Sequence, residues 1–221
     1  MAMSFGGSDG ARYDRSPTWA STLGCVAFWI KTTSATASTG VVNFWGSSSR
    51  SGWAVLLNSV SNKISILAYD STTQRVATSS STTSVNDGNW HHVAFNWNAN
   101  NGGANTLYID GSSEVSANSS AAWSIGSTSH VEVGDFLDAF WANLTGSLAE
   151  LALWNTRNLT AAEVSSLAKG FSPKLISPDV LSIHVPMQVS TRNARPPGSA
   201  GPTFIGSPTA VAHPRMIGGS L

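Results

Sequence analysis

The chain has little charge, and none to spare of either sign. Charged side chains make up 11% of its 221 residues, against roughly 25% in ordinary soluble domains, and twelve Lys and Arg balance twelve Asp and Glu. Nucleic acid and anionic membrane surfaces are bound by clustered Lys and Arg that displace counterions, so this composition excludes both as expected partners. Cysteine is nearly absent too. Cys25 stands alone in the apolar run "LGCVAFWI", which rules out an intrachain disulfide and suits a buried thiol. No stretch approaches the ~20 apolar residues of a membrane span, and the start, "MAMSFGGSDGARYD", has no basic segment followed by an apolar one. The expectation is a protein made in the cytosol without a signal peptide and without membrane insertion.

Proline is nearly missing from the first 170 residues, which hold only Pro17; the other eight prolines follow Gly170, while all nine tryptophans precede it. Charge divides at the same point. Residues 1–170 carry 8 basic and 11 acidic groups, a net of −3, and residues 171–221 carry 4 and 1, a net of +3. The reading is therefore a domain over 1–170 and an extended Pro/Gly-rich C-terminal segment over 171–221, with one added strand near 180–187 from "DVLSIHVPM".

What the first part does have is strands. "LGCVAFWIK", "GVVNFWG", "GWAVLLN", "KISILAYD", "WHHVAFNWN", "NTLYIDG" and "GSLAELALWN" are short, rich in β-branched and aromatic residues, and bounded by Gly, Asn, Asp and Ser. Many short strands at even spacing predict an all-β sandwich or jelly roll. One short helix is predicted in "NLTAAEVSSLAKGFSP": Thr160 and Glu163 fit a capping box, Val164 and Leu167 share a face, and Gly170 can take the left-handed terminal position.

"NDGNWHHVAFNWN" looks at first like a reactive cluster. Successive strand residues point to opposite faces, so His91 and His92 cannot converge on one ion. His91, Val93, Phe95 and Trp97 share one face as a core stripe, and Trp90, His92, Ala94 and Asn96 share the other.

Taken in order, "VAFWIK", "DGNWHHVAFNWN", "LYIDG" and "GSLAELALWN" followed by "LTAAEVSSLAKG" resemble the laminin G-like, concanavalin A-like lectin/glucanase jelly rolls over residues 4 to 170. The tail, "FSPKLISPDVLSIHVPM" with "GSPTAVAHPR", is similar to the C-terminal extension of laminin G-like proteins of tailed bacteriophages and prophages. That resemblance implies a concanavalin A-like jelly roll and a non-enzymatic structural protein of a phage virion, a capsid decoration or tail-associated protein synthesised in the host cytoplasm. It would form homo-oligomers and contact other capsid or tail proteins through an arm including Pro196, Pro197, Phe204, Ile205, His213 and Arg215.

The resemblance also raises chemistry to be weighed. A laminarinase-type hydrolase of this fold needs two carboxylates on one strand, ~5 Å apart for retaining chemistry. In "VEVGDFLDAF" the position two beyond Glu132 is Gly134, so the partner is missing. Calcium, the family's recurrent ion, wants clustered oxygens. The closing strand offers Ala149 and Glu150 where an Asp-Glu pair is usual, leaving Asp135 and Asp138 as weak loop candidates; no cofactor is expected. The other functional reading is a carbohydrate-binding module for host-surface glycans, since sugars stack on exposed aromatic rings. Trp29, Trp90, Trp97 and Trp154 fall in strand patterns and read as core, whereas Trp45, Trp53, Trp123 and Trp141 flank loops. "DAFWANLTG" is the most suggestive loop, and the candidate sugar-binding residues are Trp123, Phe140, Trp141 and Asn143.

Overall fold

The computed structural model describes residues 2–13, 21–46, 51–125, 129–134, 141–187 and 203–217. Its strands are β1 (Ala2–Gly6), β2 (Gly10–Tyr13), β3 (Leu23–Lys31), β4 (Thr39–Gly46), β5 (Gly52–Leu57), β6 (Lys63–Asp70), β7 (Thr73–Ser84) and β8 (His91–Asn98). They continue with β9 (Ala104–Ile109), β10 (Ser112–Asn118), β11 (Ser129–Val133), β12 (Thr145–Asn155), β13 (Leu181–Val185), β14 (Thr203–Ile205) and β15 (Thr209–Val211). The helix α1 (Ala161–Ala168) lies between β12 and β13, followed by two short 3-10 turns.

The strands form two sheets. The first runs β10-β9-β8-β3-β12-β1-β15, with β13 paired to β12 beyond β1, and the second runs β14-β2-β11-β4-β5-β6-β7. All the strand pairs are antiparallel, and the fold is an all-β, concanavalin A-like jelly-roll sandwich with one short helix. Alternation along each strand sends Met3, Phe28, Phe44, Trp53, Phe95 and Trp97 into one shared core between the sheets. Trp53 packs against Phe95 and Trp97 at ring-centroid separations of 5.7 and 5.3 Å, within the range of favourable aromatic pairs.

The helix caps as its sequence dictates. Thr160 accepts from the Glu163 backbone N–H, and the Glu163 carboxylate accepts from the Thr160 N–H at 2.8 Å. Its buried face, Val164 and Leu167, covers Cys25, Ala27, Ala94 and Trp154 on the outer side of the first sheet. Gly170 has φ of +91°, the left-handed stop that glycine adopts without strain.

The C-terminal segment returns to the body of the chain. β14 lies on β2 at the edge of the second sheet, β15 lies on β1 at the edge of the first, and residues 212–217 continue to Gly170, whose carbonyl accepts from the Ile217 N–H at 2.6 Å. Phe204 packs half-buried against the shared core.

Candidate functional site

The outer face of the second sheet carries an unusual row. Register places Thr203, Arg12, Glu132, Asn43, Ala54 and Leu67 side by side on β14, β2, β11, β4, β5 and β6. Each is one step out of phase with the inward Tyr13, Val131, Phe44, Trp53 and Ile66, so the face they share points away from the core. The near half is polar. Asn43 Nδ2 donates to Glu132 Oε2 at 3.3 Å, and the Arg12 guanidinium meets the His130 imidazole. The far half is apolar: Trp141 lies over Ala54, Leu56 and Leu67, with Tyr69 at the margin.

Burial sorts these side chains into two depths. Asn43 and Glu132 are buried, at 0% and 4% exposure; Arg12, Tyr69, His130 and Asn143 are half-buried and reach the surface. The segment carrying Trp141 and Asn143 is held to the sheet by backbone bonds, Ala142 donating to Ser38 O at 3.0 Å and Gly40 donating to Ala142 O at 2.9 Å. The arrangement offers hydrogen-bond donors and acceptors at the surface beside the half-buried Tyr69 ring, while Ala54, Leu56 and Leu67 are closed off under Trp141. On β11 no second carboxylate follows Glu132 on the same face, because Gly134 takes φ of +74° and leaves the strand.

Several expected residues lie elsewhere. Trp123, expected at an exposed loop, is buried in the inter-sheet core, where its Nε1–H donates to Ser119 Oγ at 3.0 Å. Trp53 is fully buried in the same core because it is in phase with Val55 and Leu57 on β5. Trp141, also expected at an exposed loop, is buried at 8% exposure because its ring packs on Ala54, Leu56 and Leu67; Trp123 and Trp141 are on different sides of the sheet and do not form one concavity. Trp29 and Trp90, read as core, are half-buried. Phe140, Asp135, Asp138, Pro196 and Pro197 lie outside the described residues. Of the other arm residues, Phe204 and Ile205 pair with β2, Arg215 is exposed, and His213 reaches Glu150.

That last contact belongs to a second polar cluster, on the outer face of the first sheet. Glu150 sits at a bulge of β12 with φ of +49°, and its carboxylate accepts from His184 Nε2 at 2.6 Å and from His213 Nε2 at 2.8 Å. Burial alone would raise this carboxyl, but the two imidazoles outweigh it and hold it down at about 2. A small cleft of about 10 Å³ beside it is lined by Trp29, His92, Leu167, Phe171 and Met216. Sequence reading passed over this cluster because its three members lie on three separate segments, and only strand pairing of β12 with β13 and of β15 with β1 brings them together.

Solved structures share this architecture. The chain is similar to a heptameric SAP-like pentraxin from Limulus polyphemus, with 16% identity, TM-score 0.60 and coverage of 92% of this chain and 94% of that one. It is also similar to domain 4 of AbnA, a GH43 extracellular arabinanase from Geobacillus stearothermophilus in complex with arabinotriose, at 18% identity, TM-score 0.58 and 76% of each chain. A third is the LG4–5 pair of the mouse laminin α1 chain, at 12% identity and TM-score 0.58, covering 73% of this chain and 43% of that one. At these identities the likeness is one of fold. No curated protein matches the chain in sequence. The model of the "Concanavalin A-like lectin/glucanases superfamily" matches residues 5–165, the greater part of the chain, and the protein belongs to that superfamily.

Proposed function

We propose that this chain is a non-catalytic carbohydrate-binding module whose sugar-binding surface is the outer face of the second sheet. The observation that carries this reading is the set of half-buried groups, Arg12, His130 and Tyr69 on the outer face of one sheet and Asn143 on the segment covering it, above a buried row of Glu132, Asn43, Ala54 and Leu67. A pyranose or furanose presents hydroxyls at its rim and C–H groups on its faces. Guanidinium, imidazole and amide groups match the first, and the half-buried Tyr69 ring matches the second. Arg12, His130, Tyr69 and Asn143 would touch the sugar, while Asn43, Glu132 and Trp141 would fix their positions. The arabinotriose complex of the arabinanase domain and the binding domain of botulinum neurotoxin serotype G, both similar in fold, support the same reading.

The test is a glycan array followed by calorimetry on the best ligand. Tyr69→Ala and His130→Ala should each weaken binding about tenfold, or ~1.4 kcal/mol, with the thermal transition retained. A correctly folded sample that binds no glycan would remove the proposal.

The resemblance of the tail to phage C-terminal extensions suggests a setting for such a module, as a decoration or tail-associated protein of a virion. The opposite net charges of body and tail are compatible with assembly among copies. Mass spectrometry of purified particles tests the setting, and absence of the chain would sink it without touching the glycan reading.

A further inference from the structure

We infer that residues 203–217 form an exchangeable arm, so that the sheet edges and the Glu150 carboxylate of one copy are a docking site for the arm of a second copy. The site and its occupant are both visible within one chain. Without the arm, β1 and β2 would each be left with an unpaired row of backbone groups, one at the edge of each sheet, and such edges recruit strands. The arm covers both with two three-residue strands.

Its fastenings are few, specific and all made to the body. Asp9 Oδ1 accepts from the Ser207 N–H at 2.9 Å, His213 binds Glu150, and Ile217 bonds Gly170. The fit is close at two points. A Cβ on Gly206 would stand 2.1 Å from Asp9 Oδ1, and one on Gly170 would stand 2.7 Å from the Arg215 carbonyl. An arm from another copy would meet an identical surface and lose none of these contacts.

Two further observations point to a second copy as the donor. The segment joining Met187 to Thr203, residues 188–202, is long enough to span up to about 50 Å at roughly 3.3 Å per residue. A compact domain of this length is about 45 Å across, so the linker reaches the corresponding edge of a neighbour. Exposed apolar residues also gather where the arm ends. Phe171 and Ile217 are 38% and 48% exposed and are bridged to each other. A neighbour whose own arm crosses at this point would cover that patch.

The experiment uses register cysteines in the full-length chain. Ser4 and Thr209 are direct partners across β1 and β15, one half-buried and one exposed, while the native Cys25 is fully buried and stays out of the reaction. One chain carries Ser4→Cys, a differently tagged chain carries Thr209→Cys, and the two are refolded together and oxidised. Exchange predicts a mixed disulfide dimer at least about tenfold above the yield with Ser116→Cys, an exposed position on β10 that reports random collision. A single chain carrying both Ser4→Cys and Thr209→Cys, which should close an internal disulfide, verifies the register. A mixed-dimer yield no higher than the collision control overturns the inference. So does a chain that sediments as a 23.1 kDa monomer up to about 1 mM, the effective concentration with which a tethered arm competes.

Discussion

His91 and His92 are neighbours in sequence with opposite electrostatic fates. His91 Nδ1 faces Asp110 Oδ2 at 2.8 Å and Nε2 faces Asp87 Oδ1 at 3.1 Å, and two carboxylates are both satisfied only by an imidazolium. Partial burial pulls its pKa down, but the bonds to Asp110 and Asp87 outweigh that and raise it. His92 points the other way, edge-on to Trp29 at 5.3 Å, with no hydrogen-bond partner for Nδ1 among the described residues. Burial is the main cause that drives it down to about 4, against a small opposing pull from Asp110. The signs follow from linkage. His91 contributes stability that is complete below its ordinary value near 6.5 and fades as pH rises through its raised folded value. His92 stability is present above 6.5 and fades as pH falls towards about 4. NMR titration of the two rings should therefore show one imidazole titrating above 6.5 and the other near 4; two ordinary titrations would contradict the structure. Glu150 obeys the acid form of the same rule. With its folded value at about 2, its contribution is present above the ordinary carboxylate range near 4.5 and fades as pH falls towards 2. A shift of that size is worth about 3 kcal/mol. In urea unfolding, Glu150→Gln should lose stability of that order at pH 7 and less than half of it at pH 3, whereas a loss unchanged between pH 7 and pH 3 would assign it to packing.

At the scale of elements, what the sequence makes legible is what alternation encodes. β3, β5, β6, β8, β9 and β12 read directly because apolar residues recur at the strand period and turn residues bound them. The α1 capping box reads for the same reason, since both partners are three residues apart. β14 and β15 do not, because three residues are too few to show a period and the surrounding Pro and Gly resemble a linker; their structure comes from open edges supplied by β2 and β1. Tryptophans are misread at strand ends. Trp53 follows Gly52 and looks like a loop residue, yet its phase with Val55 fixes it in the core. A tight contact between strands is at Gly24 on β3, where a Cβ would lie 2.1 Å from the Trp97 ring and 2.6 Å from the Trp154 carbonyl. Neither neighbour can yield without moving β8 or β12, so overpacking applies. Gly24→Ala should cost about 2–3 kcal/mol in chemical denaturation, and a loss below about 0.5 kcal/mol would show that the strands part more easily than this packing allows.

For the molecule as a whole, the site is less legible than the fold because it is a property of pairing order. Arg12, Asn43 and Glu132 are far apart in sequence and meet only because β2, β11 and β4 are adjacent, so no local pattern announces the row. The same pairing order stitches the sandwich at both sides. On one, Glu114 of β10 accepts from the backbone N–H groups of Thr82 and Thr83 on β7 at 2.6 and 2.9 Å, tying the two sheets together at their far edges. On the other, the arm joins β14 on the second sheet to β15 on the first. A structure closed in this way should open as one unit. Cys25 is the reporter. Its thiol is fully buried beneath α1, between strands β8 and β12, and burial pushes its pKa far above the ordinary range. The thiolate is the reactive form, so alkylation has to wait for opening. If opening is global, the free energy of Cys25 labelling will fall with urea along the same slope as tryptophan fluorescence, because that slope scales with the surface exposed. A labelling slope much shallower than the global one would mean that α1 lifts alone, and that the stitches at the two edges do not bind the helix into the cooperative unit.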